Sequence, residues 1–146
     1  MSVLLAMSHT QYARMEVRIY YEDTDCGGMV YYANYLKYFE RARTQYFEDR
    51  GLSVMELMKA GRVFVVVHAE VDYRTPARYG DTLVIETYVS ALSPAAITFS
   101  HVLRERQSHR IVAEGTARLA VTDGNGKVKR LDKRIVAALQ SSPEGC

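Results

Sequence analysis

The chain has no tryptophan, two cysteines, three prolines and no marked excess of either charge. Each shortage excludes something. Cys26 and Cys146 cannot build a disulfide framework, and neither has the ligand neighbours that a zinc site spaces around itself. Lys plus Arg number 19 against 17 Asp plus Glu, a net of +2, and the basic residues do not gather into a stripe. No nucleic-acid surface is expected from that balance. No run approaches the ~20 apolar residues of a membrane span. "SVLLAM" near the start is too short for a signal-peptide core and follows no basic residue, so a cytoplasmic location is expected. There is no internal repeat, no low-complexity tract, no G-x-G-x-x-G and no phosphate loop.

What is present has the balance of an ordinary soluble domain, with 48% apolar and 25% charged residues. A length of 146 residues suits one domain with a real core. Periodicity places that domain at 14–140, after a loosely ordered extension at 1–13 and before a short tail at 141–146. The distinctive residue is tyrosine: there are 11, and eight of them crowd into 12–46.

"RMEVRIYYED" (14–23) alternates Val17, Ile19 and Tyr21 with Glu16, Arg18 and Tyr20, the pattern of a half-buried strand. After Gly27-Gly28 the period changes. Tyr35, Tyr38, Phe39, Ala42 and Tyr46 recur at helical spacing, while Lys37, Glu40, Arg41, Arg43 and Glu48 fill the other side. This predicts a helix over roughly 31–50, stopped by Gly51, and a short one after Ser53 that ends at Gly61. "RVFVVVHAEVDY" (62–73) is apolar almost throughout, as a strand covered on both faces would be. Three further strands follow at 81–92, 95–105 and 110–123, then a "DGNG" turn and a closing helical segment at 132–140. Strands plus one long half-apolar helix make an α+β fold with a mainly antiparallel, five-stranded sheet. Its open edges invite pairing with a second subunit, so an oligomer is expected.

The chemistry gathers in "DTDCGGMVYYANY" (23–35). The glycines permit a tight reversal, and the chain then enters a helix near Tyr31 or Tyr32. The first amides of a helix have no intrahelical partner and carry partial positive charge, a site for an oxygen that is becoming an anion. Asp25 would supply the other half, as a nucleophile or as the base that activates water. Against this, Asp before a helix is commonly a cap and Gly-Gly commonly a turn. His68 and His101 fall in predicted strands without a visible titrating partner, and read as ordinary strand residues.

The stretch "RIYYEDTDCGGMVYYANYLKYFERART" (18–44), continued by "FVVVHAEVDYRTPARYGDTLVIET" (64–87), resembles the signature of the hotdog-fold acyl-CoA thioesterases. It is most similar to the 4-hydroxybenzoyl-CoA thioesterase-like branch that includes the Tol-Pal-associated, YbgC-type enzymes. The resemblance implies a hotdog, an antiparallel sheet wrapped around one long helix, assembled as homodimers or homotetramers. It implies acyl-CoA as substrate, hydrolysed to free acid and CoA without metal or organic cofactor, and a functional link to the Tol-Pal envelope system. Position by position, it puts the reacting carboxylate on Asp25 and the carbonyl-polarising amide on Tyr32. The tyrosine that helps form the site falls on Tyr21, and Gly28, Val30 and Tyr31 border the substrate. YbgC-type enzymes often carry His where this chain has Tyr32; a backbone role survives that change, and a histidine side-chain role does not transfer.

Two alternatives stand beside this. One is a hotdog hydratase or dehydratase, which usually pairs a His with an acid. The other is a non-catalytic acyl-CoA-binding or envelope-associated module. Arg74, Arg78, Arg104 and Arg118 are possible contacts for the CoA phosphates.

Overall fold

The computed structural model describes residues 12–140. Apart from Tyr12 and Ala13, the extension expected at 1–13 lies outside the described residues, as do the tail at 141–146 and Cys146 within it. β1 (Ala13–Arg18) is followed by a 3-10 turn at Tyr21–Asp23 and by two helices, α1 (Asn34–Asp49) and α2 (Val54–Lys59). Then come β2 (Val63–Tyr73), β3 (Thr82–Ser93), β4 (Ala96–Glu105), β5 (Ile111–Thr122), the two-residue β6 (Val128–Lys129) and α3 (Lys133–Gln140). The strands form one antiparallel sheet in the order β1-β3-β4-β5-β2, with β6 paired to β5. Since β1 and β2 are the two edges, the chain between them has to cross the sheet. α1 makes that crossing, which gives the expected α+β layer of a long helix on an antiparallel sheet.

The helix buries the face its periodicity marked: Tyr35, Tyr38, Phe39, Ala42 and Tyr46, with Phe47 added. It ends where Gly51 takes φ 78°, a left-handed conformation that costs glycine little. Ser53 accepts the Glu56 amide at 3.2 Å and so caps α2.

Three expectations are corrected. β1 ends at Arg18 rather than at Asp23, because the Asp23 carboxylate takes the Tyr20 amide at 2.8 Å and coils the next residues into the 3-10 turn. Tyr21 therefore leaves the Ile19 face and stands 77% exposed. β2 is not covered on both faces: it is an edge strand in which Phe64 and Val71 pack against the core, while Val65, Val66 and Val67 are exposed at 41%, 47% and 56%. Arg43, assigned to the solvent side of the helix, is buried.

Arg43 enters a small polar island between the two apolar clusters of the core. Its Nη1 lies 3.3 Å from His101 Nε2, and Thr87 Oγ1 lies 3.0 Å from His101 Nδ1. The imidazole stacks on Phe39 with centroids 4.5 Å apart and planes 5° from parallel. Burial, then the neighbouring Arg43 charge, push His101 down to about 3, so the ring is neutral. Arg43 can only donate, which makes Nε2 the acceptor and leaves Nδ1–H to donate to Thr87.

That assignment fixes a pH dependence. The unfolded chain protonates His101 near its ordinary 6.5, whereas the folded chain does not until about 3. Folding stability is therefore complete above pH 6.5 and falls as pH drops through that window, by up to ~1.4 kcal/mol per pH unit. Glu105 acts in the same sense lower down. Its carboxylate accepts the amides of Ser108 and Gln107 and the Ser108 hydroxyl, which hold it at about 2. Urea midpoints between pH 6.5 and 4.5 should thus decline in the wild type and decline visibly less in His101→Gln. Equal slopes would mean that His101 is not the titrating group.

Candidate active site

The residues after the 3-10 turn form a small zipped loop. Thr24 bridges Val30, the Asp25 amide donates to Met29 O at 2.9 Å, and the Gly28 amide donates to Asp25 O at 3.0 Å. The reversal needs Gly28 at φ 78°. Asp25 Oδ1 accepts the Gly27 amide at 2.9 Å, which orients the carboxylate and leaves its second oxygen without a protein donor among the described residues. Asp25 is thus both a turn residue and a presented carboxylate.

Asp23 does different work. Its carbonyl accepts the Tyr31 amide at 3.0 Å and the Asn34 side-chain amide at 2.8 Å, so it ties the loop to the start of α1. The regular helix begins at Asn34, three residues later than the sequence suggested, after a turn in which the Asn34 amide bonds Tyr31 O at 2.9 Å. No side chain caps this end, because Ala33 occupies the N-cap position. The amides of Tyr32 and Ala33 have no hydrogen-bond partner among the described residues. They are donors held at the positive end of a 16-residue helix.

Asp25 and Tyr32 line one cleft of about 420 Å³, together with Val30, Tyr35, Tyr73 and Arg74. The far wall comes from the end of β2. Tyr73 Oη donates to Tyr32 O at 3.2 Å, and its ring lies 6.3 Å from that of Tyr32 and 5.6 Å from that of Tyr35. Burial raises the Tyr35 and Tyr73 hydroxyls above the ordinary phenol value, so both remain donors at neutral pH. Of the residues marked in advance, the fold brings Asp25, Val30 and Tyr32 to this cleft. Gly28 shapes the loop behind it, and the ring of Tyr31 stands 4.9 Å from that of Tyr32. Tyr21 is not in the cleft; it meets Tyr79 on the surface beside it. Arg74, marked as a possible phosphate contact, also lines the cleft, whereas Tyr73, Thr75 and Pro76 were missed. Their only sequence signal was position, in the second matched segment immediately after a strand. No group of three or more His, Cys, Asp or Glu among the described residues could hold a metal ion.

Residues 19–139 match the model of the thioesterase-like superfamily. The acyl-CoA thioesterase YbgC of Haemophilus influenzae is 38% identical over 124 residues, covering 84% of this chain and 90% of that one. The acyl-CoA thioester hydrolase YbgC of Escherichia coli is 34% identical over 129 residues, or 88% and 96% of the two chains. Among solved structures, a 1,4-dihydroxy-2-naphthoyl-CoA thioesterase from Synechocystis superposes with a TM-score of 0.82 at 21% identity, covering 88% of this chain and 95% of that one. That likeness carries the hotdog fold alone; the family model and the two sequence relatives carry more, and by them this chain belongs to the thioesterase-like superfamily.

Proposed function

We propose that the cleft hydrolyses acyl-CoA to a free acid and CoA. The observation that carries this is the meeting of the Asp25 carboxylate and the partnerless Tyr32 amide at one cleft. Donors aimed at a carbonyl oxygen gain strength as it becomes an oxyanion, which is where catalysis acts. Two routes use the same groups. In one, an Asp25 oxygen attacks the thioester carbon, the C–S bond breaks, the thiolate leaves and is protonated, and water cleaves the resulting anhydride. In the other, Asp25 takes a proton from water, and the hydroxide attacks the carbon and expels the thiolate. A thioester is already activated, so neither route needs a further reactant.

Free-thiol release from a panel of short-chain, long-chain and aryl acyl-CoA thioesters tests this reading. Turnover of at least one class is expected, and tight binding without thiol release would leave only a binding module. The hydratase alternative is disfavoured because no His lines the cleft. Assembly belongs to the same proposal. The apolar edge of β2 runs into the cleft wall at Tyr73, so a second copy paired there, as a homodimer or within a homotetramer, would border the site. A cytoplasmic enzyme linked to the Tol-Pal system completes the reading, on the strength of the family resemblance. No described helix is long and apolar enough to cross a membrane.

A further inference from the structure

We propose that Arg78, with the surface pair Tyr21 and Tyr79, seats the nucleotide end of the CoA carrier: the guanidinium takes a phosphate and the rings take the adenine. This rests on the thioesterase reading above and extends it to a subsite.

The segment that bears Arg78 is zipped onto the Asp25 loop. Met29 and Arg78 form an antiparallel bridge, the Val30 amide donates to Ala77 O at 2.8 Å, and the Tyr79 amide donates to Gly28 O at 3.3 Å. Directly opposed residues of an antiparallel pair send their side chains to the same face. Met29 lines the cleft, so Arg78 emerges at its rim.

The other candidate arginines are committed. Arg74 pairs with Glu114 at 3.0 Å and reaches Asp72 at 3.9 Å. Arg104 pairs with Glu86 at 3.2 Å and donates to His109 O. Arg118 stands between Ala117 and Leu119, both buried on the α1 side, and so points to the opposite face of the sheet. The exposed guanidinium of Arg78 makes no ion pair or hydrogen bond among the described residues. The acid nearest to it in the chain, Asp81, is held by Arg110 at 3.0 Å. A free, fixed-charge fork at the mouth of a cleft is suited to phosphate.

Beside it stand two large exposed rings that the core does not use. Tyr21 and Tyr79 are 77% and 61% exposed and meet edge to face, with centroids 6.1 Å apart and planes at 72°. Both rings are largely exposed, and base-on-aromatic stacking needs only one accessible ring face. Scale agrees as well. The pantetheine arm has the span of about four extended residues, ~14 Å. Arg78 lies two backbone pairings from Asp25, ~5 Å each, plus the length of its own side chain.

Truncated carriers separate the parts. The same acyl group is offered on CoA, on 4′-phosphopantetheine and on pantetheine, and kcat/KM is measured for wild type and variants. Wild type should prefer them in that order. Arg78→Ala should shrink the preference for phosphopantetheine over pantetheine about tenfold, mainly through KM, and Arg78→Lys should restore part of it. Tyr79→Ala should shrink the preference for CoA over phosphopantetheine and leave the phosphate step in place. Unchanged ratios in Arg78→Ala, or an equal fall on all three carriers, would overturn the subsite while leaving the thioesterase reading intact. A wild type that hydrolyses none of the three removes that reading, and the subsite with it.

Discussion

Asp25→Asn should lose about 10³-fold or more in kcat, since it removes a nucleophile or general base. Asparagine is the informative replacement. The Asp25 side chain also closes its own turn by accepting the Gly27 amide at 2.9 Å, and an amide oxygen keeps that bond. The loop, the helix start and the cleft should all survive, so the variant should still bind acyl-CoA within a few-fold of wild type. Asp25→Ala loses the turn bond too, and should add a binding defect to the catalytic one. Stopped assays for thiol release, paired with a direct binding measurement, distinguish the two. If Asp25→Asn turns over within tenfold of wild type, Asp25 is a turn residue and nothing more.

The second large effect is on stability. Gly115 lies in β5 opposite Val71 of β2 and His101 of β4. A Cβ there would sit 2.7 Å from Glu70 O and 2.7 Å from the Phe39 ring. Neither neighbour can yield cheaply. One is backbone, and the other is held flat against His101, which is itself held by Arg43 and Thr87. Gly115→Ala should therefore cost about 3 kcal/mol or more in urea unfolding, at the upper end of overpacking effects. Gly124→Ala is the control: its Cβ would meet nothing within 4 Å, and it should shift stability by less than roughly 0.5 kcal/mol. Similar small shifts in both variants would mean that the sheet relaxes around position 115.

Asp25 could be read in advance in part, whereas nothing in the sequence around Gly115 marked it. The α1 core face was legible because one helix's burial repeats every three to four residues, and Tyr35 through Tyr46 keep that period. Gly51, Ser53 and Gly61 were legible because caps and stops act within a few residues of themselves. Asp25 was legible in part, as a carboxylate beside a helix start, and the family signature singled it out from Asp23. What escaped depends on distant pairing. Tyr73 reaches the cleft because β2 is placed at the far edge of the sheet, and no local pattern in "DYRTPARY" encodes that edge. Arg43 looked like a solvent residue until His101, fifty-eight positions away, supplied its acceptor. Tyr21 followed the alternation of β1 on paper, and the Asp23 side chain broke that alternation in three dimensions.

The two edges of the sheet are unlike. β2 is eleven residues long and carries three exposed valines in a row, whereas β1 is six residues long and alternates Arg14, Glu16 and Arg18 with its apolar positions. An adhesive edge that pairs with its own copy is satisfied after one partner, because the two-fold axis uses up both surfaces. Growth beyond that would require the other edge to accept a strand, and short, charged strands resist doing so. A sheet with one sticky side and one guarded side can thus close into pairs without propagating into fibres. If β2 pairs with its own copy as proposed, the charges of β1 are what keeps that association from running on.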